Sequence, residues 1–278
     1  MIFFRPLLVL LGLLAMPLFA QPATRVVTLA PNLAEMVYAA GAGDALVGVV
    51  AYSDYPEQVK TLPGVGDAFR IDFERLSALK PDLVLGWGGG NPVHLLDRVR
   101  ELGFRVEVLT PRTLDDVAEH LERIGEWTGH GGQAEVAAAE YRRQLAGLRQ
   151  RYTGVEKITV FYQVSAQPLY TITNRQFTGQ IIELCGGQNV FGSLNELAPV
   201  VSPEAVVAAD PRVILTGNEQ AKDVIALWSR WPAMQVIGKS GVMGVDARLT
   251  ARASPRLMEG ARQVCDALDR ARSEEHAR

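Results

Sequence analysis

The apolar residues of this chain recur with the period of a strand in some segments and with the period of a helix in others. Short β-branched runs, such as Arg25–Ala30 and Asp82–Leu85, alternate with amphipathic segments such as Val93–Leu102. Strands that alternate with helices indicate parallel sheets of the α/β class. In such sheets, ligands bind at the carboxyl ends of the strands.

The longest helical pattern covers residues 132–152 and contains no proline. Tyr141, Leu145, Leu148 and Tyr152 recur at helical spacing, so they share one face. At about 1.5 Å per residue the segment is roughly 30 Å long, the width of a small domain. We interpret it as a helix that joins two domains, although the helix alone also fits a surface element of a single domain.

The chain carries the same pattern on both sides of this helix, which favours two lobes. Glu74 opens an amphipathic segment that ends at a proline and an apolar strand, and Glu204 does the same. We therefore predict an α/β fold of two similar lobes with mainly parallel sheets, joined by one long helix, with a ligand cleft between the lobes. The expected segments are a signal peptide (1–20), an N-terminal lobe (24–131), the bridging helix (132–152) and a C-terminal lobe (153–271).

Local signals predict further details of these lobes. Asn32 is a candidate N-cap of the first helix. Met234–Ile237 is predicted as a weak strand, Asp246–Ser254 as a loop, and Pro255–Ala271 as a closing helix with proline in its first turn. His120 is interpreted as a surface residue.

The N-terminus predicts export. Arg5 precedes an apolar run of about a dozen residues, which is too short for a typical transmembrane helix. Ala20 offers a small-residue cleavage site, as in secretory signal peptides. We expect a soluble periplasmic protein, with an uncleaved anchor as the alternative.

Charge and motifs narrow the function class. The net charge of −3 argues against a nucleic-acid partner, which calls for a basic surface. The glycine-rich stretch Gly86–Gly90 lacks the Gly-Lys-Ser/Thr of a phosphate loop, and no Gly-x-Ser-x-Gly elbow occurs. The four histidines are scattered, so no metal site is predicted. A binding protein is therefore favoured over an enzyme that acts on a cofactor precursor.

Two features suit binding. Tyr52 and Trp87 follow predicted strands of the first lobe, and Tyr162 and Tyr170 are candidates in the second. Aromatic side chains in a cleft give large apolar contact with little entropy loss. The alternative is that each of them packs in the core of its own lobe.

Glu74 and Glu204 form the second feature, because they occupy matching positions in the first turn of matching helices. A carboxylate there is favoured by the helix dipole, and capping alone explains it. One exposed acid on each lobe would also offer a pair of docking charges.

Cys185 and Cys265 are the only cysteines. Export makes a disulfide plausible, and two buried free thiols are the alternative.

Six motifs, taken in order, closely resemble the periplasmic cobalamin-binding proteins of bacterial ABC importers. The resemblance covers nearly the whole chain after the leader, from about Arg25 to Leu268. The motifs are Tyr52-Ser-Asp-Tyr-Pro56, the Glu74–Val84 segment, Trp87-Gly-Gly-Gly-Asn91, the Glu183–Phe191 segment, Val201-Ser-x-Glu204 and Arg252-Ala-Ser-Pro-Arg256.

The resemblance implies a corrinoid held between two α/β lobes, with Tyr52 and Trp87 lining the cleft, and it implies no catalysis. It further implies that Glu74 and Glu204 pair with arginines of two permease subunits. It also implies a disulfide between the two cysteines. The expected ligand is cobalamin or a related corrinoid, and no catalytic cofactor is expected. Haem or a ferric siderophore is the alternative ligand, since relatives that bind these share the Glu74 helix.

The chain departs from the family pattern in the pocket. Tryptophans are expected near Ala68, Ala198 and Leu249, and an acidic residue near Arg248. Phe69 and Asp246 lie one or two residues away and are candidates to compensate. With Arg252 of the last motif they complete the predicted ligand set. We expect a monomer whose partners are the corrinoid and the membrane permease subunits.

Overall fold

The computed structural model describes residues 21–237 and 241–276. Its first sheet has four parallel strands in the order β2-β1-β3-β4. These strands are β1 (Val26–Thr28), β2 (Leu46–Gly48), β3 (Leu83–Trp87) and β4 (Val106–Leu109). The predicted signal peptide, residues 1–20, lies outside the described residues.

The second sheet repeats the first. It has four parallel strands in the order β6-β5-β7-β8, so each sheet follows the same second-first-third-fourth plan. Its strands are β5 (Ile158–Gln163), β6 (Gly187–Asn189), β7 (Val213–Gly217) and β8 (Val242–Val245). This arrangement confirms the predicted fold class of two similar α/β lobes.

Helices cover both sheets. Those that precede the bridge are α1 (Pro31–Ala39), α2 (Phe73–Ala78), α3 (Val93–Glu101) and α4 (Asp116–Thr128). The bridging helix is α5 (Gly131–Arg151). Those that follow it are α6 (Phe177–Leu184), α7 (Pro203–Ala209), α8 (Ala221–Trp228), α9 (Ala247–Ala251) and α10 (Leu257–His276).

Helix α5 is continuous for 21 residues and begins one residue before the predicted start. Tyr141, Leu145 and Leu148 are buried on one face, as their spacing predicts. The largest core cluster joins this face to residues of both lobes, such as Leu33 and Val160. Two separate clusters lie one in each lobe: the first lines the strands of the first sheet beside α2 and α3, the second those of the second sheet beside α7 and α8. The bridge is therefore part of the core.

The repeat extends to single backbone angles. Lys80 and Asp210 each lie between a helix with a glutamate in its first turn and the proline that follows it, and each has positive φ, at 46° and 39°. Left-handed backbone is rare for residues other than glycine. Its occurrence at equivalent places shows that the lobes share one backbone plan.

The disulfide is present and lies in the second lobe. Cys185, at the end of α6, bonds Cys265 on α10. The two residues are 80 apart in sequence, so the bond closes most of the C-terminal half into one loop. It confirms the pairing implied by the family resemblance.

Two helix-start predictions are wrong. Helix α1 begins at Pro31 with Ala30 at its N-cap position and no side-chain cap. Proline at the first helical position sets the backbone angle by itself, and Asn32 is buried inside the helix. The closing helix begins at Leu257, so Pro255 precedes its first turn.

Three other predictions are corrected by tertiary packing. Met234–Ile237 forms turns, and its Met234 and Val236 side chains are buried beside α8. The edge strand is Val242–Val245 instead. Part of the predicted loop Asp246–Ser254 is helix α9, which Asp246 caps. His120 is buried, and desolvation lowers the pKa of its imidazole.

Candidate functional site

The two lobes meet where the loops after β2 and β8 face each other. Arg248 lies 3.9 Å from Asp54, and Arg252 contacts the Tyr52–Asp54 loop directly. Both loops follow the carboxyl ends of parallel strands, which is where α/β sheets bind ligands. Of the residues predicted to bind the ligand, Tyr52 and Arg252 meet directly at this junction.

Tyr52 projects from the loop after β2. Its side chain is 83% exposed, and its backbone is left-handed with φ at 66°. An exposed aromatic ring on a strained backbone is energetically unfavourable, and such residues are concentrated at functional sites. The carbonyl oxygen of Tyr52 accepts a hydrogen bond from Arg252 at 3.2 Å, which holds this conformation.

Phe69 lies at the tip of a tight turn. The Asp67 carboxylate accepts hydrogen bonds from the backbone N–H groups of Phe69 and Arg70, at 2.7 and 2.8 Å. Phe69 is 67% exposed. Gly66, with φ at 116°, supplies the left-handed residue that the turn requires, and its carbonyl accepts from Ala51 at 2.8 Å. The Phe69 turn is thus bonded to the Tyr52 loop.

Trp87 ends β3 and is half-buried. A Cβ atom added to Gly90 would lie 2.5 Å from its indole, and one added to Gly89 would lie 3.0 Å away. Only glycine allows the backbone to approach the ring this closely. The run of glycines, which lacks the features of a phosphate loop, therefore packs against the Trp87 ring.

The second lobe presents a different surface. Tyr162 in β5 is buried, and burial raises the pKa of its phenol. Tyr170 is 38% exposed and pairs its backbone with Val200. Of the two predicted aromatics, only Tyr170 offers a substantial part of its ring to solvent.

Asp246 and Arg248 line a cavity of about 290 Å³ at the carboxyl ends of β7 and β8. The Asp246 carboxylate accepts from the backbone N–H of Arg248 at 2.9 Å and from its guanidinium at 3.0 Å. Hydrogen bonding from the Arg248 side chain holds the pKa of Asp246 below its usual value, against partial desolvation. The acid is thus ionised, and its charge is already paired.

Arg252 joins the lobes. Its guanidinium donates to Glu35 at 3.0 Å and to Asp54 at 2.5 Å, in addition to the Tyr52 carbonyl. Glu35 is almost fully buried on α1 and also accepts from the Ser254 hydroxyl at 2.7 Å. This inter-lobe cluster therefore fixes the N-terminal lobe to the segment after α9.

Asp54 and Arg252 of this cluster are charged at neutral pH. Desolvation alone would raise the pKa of Asp54, but the hydrogen bond and the charge of Arg252 outweigh it, so the pKa is lowered. Burial likewise opposes the charge of Arg252, yet the two carboxylates raise its pKa. Most of the hydrogen-bond donors of the Arg252 guanidinium are thus used in contacts with protein groups.

Glu74 and Glu204 are equivalent in detail. Each is the second residue of its helix and is exposed. The helices are capped by Asp72 and Ser202, whose side chains accept from the backbone N–H three residues later at 3.0 and 3.1 Å. Because the caps are other residues, the first-turn N–H groups do not require these two glutamates as partners.

Sequence reasoning missed Glu35, Asp54 and Asn91. Glu35 interrupts a run of buried apolar residues on α1, and an acid at such a position signals a buried partner. Asp54 and Asn91 lie inside motifs that we quoted, but nothing in the chain shows that they hold loops together. In the described ranges, 21–237 and 241–276, no His, Cys, Asp or Glu group is arranged to hold a metal ion. No helix in those ranges combines the length and apolar character of a membrane span.

Comparison with known proteins gives a consistent result. The chain is 38% identical over 261 residues to the vitamin B12-binding protein of Yersinia pestis (strain Pestoides F), covering 93% of this chain and 90% of the relative. The crystal structure of the periplasmic vitamin B12-binding protein BtuF of Vibrio cholerae matches with a TM-score of 0.84 at 34% identity. That match covers 90% of this chain and 98% of the other.

A more distant neighbour shares the fold. The periplasmic heme-binding protein RhuT from Roseiflexus sp. RS-1 matches with a TM-score of 0.78 at 22% identity, over 90% of this chain and 99% of the other. The sequence profile described as "Periplasmic binding protein" matches residues 26–235. These matches cover both lobes and the helix between them, and the chain therefore belongs to the periplasmic binding protein family.

Proposed function

We propose that this protein captures cobalamin or a related corrinoid in the periplasm and delivers it to an ABC importer. The observation that carries the proposal is the likeness, over nine-tenths of the chain, to vitamin B12-binding proteins at 38% and 34% identity. The proposal includes no catalysis, a monomeric protein, and export directed by residues 1–20.

The two walls of the cleft suit a corrinoid. A corrin ring offers a broad apolar face and a periphery of primary amides. Tyr52, Phe69 and Trp87 supply aromatic area on one lobe. Asp246 on the other lobe supplies carboxylate oxygens that accept hydrogen bonds from amides. Tyr170 is a further member of the proposed ligand set on that lobe. Arg252 is assigned to the ligand set through its hold on the Tyr52 loop.

Titration calorimetry tests the ligand class. The mature protein is titrated in turn with cyanocobalamin, cobinamide and haemin. We expect saturable one-to-one binding of cyanocobalamin. If neither cyanocobalamin nor cobinamide binds, and absorption spectra show a Soret shift when haemin is added, haem would replace the corrinoid as the proposed ligand. Binding of cobinamide alone would restrict the ligand to incomplete corrinoids.

We assign transporter docking to Glu74 and Glu204. The support is their equivalent, exposed position on the two lobes, since a pair of subunits would meet one carboxylate from each lobe. The Glu74→Ala, Glu204→Ala double variant should keep its ligand affinity and lose transport in reconstituted vesicles. The matched control is Glu119→Ala with Glu135→Ala, two exposed glutamates of α4 and α5. Full transport by the first variant would remove the docking role.

The proposed location is tested by fractionation. Mass spectrometry of the protein from a periplasmic extract should find a chain that begins near Gln21. A chain that retains residues 1–20 in the membrane fraction would establish the anchored alternative.

A further inference from the structure

Asn91 is a buried amide whose polar atoms all have partners. The side chain is 6% exposed. Its Nδ2 donates to the carbonyl oxygens of Leu29 at 2.8 Å and Ala68 at 2.9 Å, and its Oδ1 accepts from the N–H of Trp87 at 2.7 Å. An amide provides two donors and an acceptor on one planar group. Neither a carboxylate nor a hydroxyl can satisfy all three backbone groups.

The three partners belong to separate segments of the N-terminal lobe. Leu29 follows β1, Ala68 immediately precedes Phe69, and Trp87 ends β3. The Ala68 and Phe69 turn is bonded in turn to the residue before Tyr52, through the Ala51 N–H and the Gly66 carbonyl. One side chain therefore sets the separation of the Phe69 turn from Trp87, and the Tyr52 loop follows that turn.

This connection matters because the Phe69 and Tyr52 loops are held by hydrogen bonds more than by packing. Phe69 and Tyr52 are largely exposed, so packing fixes neither of their loops. An exposed loop opens locally at little cost, whereas a buried, fully bonded amide is expensive to disturb. A binding wall that is already arranged avoids the entropic cost of ordering it on binding.

We propose that Asn91 is the positioning residue of the aromatic wall, which consists of Tyr52, Phe69 and Trp87. It holds Phe69 and Trp87 in place for the ligand and does not contact the ligand itself. The inference rests on the proposed corrinoid function and deepens it. Asn91 acts through Phe69, so its contribution to affinity depends on that ring being present.

The test is a cycle of Asn91→Asp and Phe69→Ala, measured as the cyanocobalamin dissociation constant by calorimetry. Aspartate keeps the shape of asparagine but directs oxygen at the Leu29 and Ala68 carbonyls, so the turn is repelled. We expect Asn91→Asp to weaken binding by about tenfold in the native background, which is the whole contribution of a correctly placed Phe69 ring. In the Phe69→Ala background the same change should weaken it less than threefold.

Asn189→Asp is the matched control. Asn189 is equally buried at the end of β6 and also bonds two backbone groups, the Ile172 carbonyl and the Phe191 N–H. This variant should lower the melting temperature comparably and leave affinity within twofold. Asn91→Ser, which retains one donor, serves if Asn91→Asp does not fold, and should give an intermediate loss that also depends on Phe69.

Two results would overturn the inference. Equal losses of affinity with and without Phe69 would mean that Asn91 does not act through the Phe69 ring, and unchanged affinity in Asn91→Asp would mean that the position of the turn does not depend on the Asn91 hydrogen bonds. If the native protein binds neither cyanocobalamin nor cobinamide, the proposed function fails. That outcome precedes the cycle and is distinct from its failure.

Discussion

Where the N-terminal lobe carries Phe69 and Trp87 at the carboxyl edge of its sheet, the C-terminal lobe carries Asp246 and a buried Tyr162. The strands beneath these edges have the same order, and a left-handed residue precedes the proline after each of the helices that carry the paired glutamates. The backbone plan is thus shared, and the side chains at the carboxyl edges of the two sheets differ. The comparison indicates that one duplicated frame carries two different sets of the residues assigned to the proposed ligand site.

The lobes also differ in how they are held together. The C-terminal lobe has the Cys185–Cys265 bond, whereas the N-terminal lobe depends on packing and on buried polar groups such as Asn91 and Glu35. The inter-lobe cluster around Arg252 couples these two modes of stabilisation. Each difference can be removed separately.

Removal of the disulfide should have the largest effect. In the chain-entropy model, closing a loop of 80 residues lowers the entropy of the unfolded chain by the equivalent of about 4.5 kcal/mol at 25 °C. We expect Cys185→Ser with Cys265→Ser to lower the free energy of unfolding in urea by this amount. Hydrogen exchange should show the loss chiefly in β5–β8. Equal loss in β1–β4 would show that the lobes unfold as one unit.

Weakening of the inter-lobe cluster should have the next largest effect on stability. Arg252→Gln removes the hydrogen bonds to Asp54 and Tyr52 and leaves Glu35 with Ser254 and the more distant Arg256. Breaking a buried pair costs about 3–5 kcal/mol, and because Glu35 keeps partners we expect about 2 kcal/mol in urea unfolding.

Arg248→Gln is the control for this change, since Arg248 is an exposed arginine one helical turn away. It should alter stability much less than Arg252→Gln. A similar effect of the two substitutions would mean that burial at the lobe junction adds nothing to the Arg252 contacts.

The two walls can be compared through affinity. Phe69→Ala should weaken cyanocobalamin binding about tenfold, because an exposed ring that the ligand covers contributes roughly 1.5 kcal/mol. Tyr170→Ala should weaken it less than threefold, since this ring is already partly covered by its own lobe. Calorimetry on both variants measures the difference. A larger loss for Tyr170 would reverse the assignment of the aromatic wall.

The frame of this molecule was readable from local patterns. Strand and helix periods, the duplicated Glu–Pro signature and the spacing of Tyr141, Leu145 and Leu148 each depend on neighbours within a few residues. The edge strand Val242–Val245 was not readable, because its Gly244 breaks the pattern and its place is set by pairing with β7. Met234 and Val236 have the pattern of a strand because their apolar side chains are buried, but they are buried beneath α8 and not in a sheet.

The site was less predictable than the fold. Tyr52 and Trp87 could be selected because aromatic residues after predicted strands suit a cleft, and Phe69 because it lies next to a position where the family pattern has a tryptophan. The partners of Arg252 are Glu35 and Asp54, about 200 residues away in sequence. The position of Glu35 among buried apolar residues indicates a buried partner, but nothing local identifies that partner as Arg252, and nothing local identifies the three backbone partners of Asn91. Resemblance to a family supplied the ligand class, and physical patterns alone supplied only a binding cleft.

The smallest expected effect concerns the pH dependence of the inter-lobe cluster. Because the pKa of Asp54 is lower in the folded protein than its ordinary value, its pairing with Arg252 stabilises the fold fully above about pH 4. That stabilisation disappears as the pH falls through the lowered pKa. About a third of the carboxylate is exposed, so solvent screening limits the contribution to less than about 1 kcal/mol. Urea unfolding between pH 3 and pH 7 should therefore show a slightly smaller loss on acidification for Asp54→Asn than for the native protein. If the two pH profiles are parallel, Asp54 is not a titrating member of the cluster, and Arg252 holds the lobes together through Glu35 and the Tyr52 carbonyl alone.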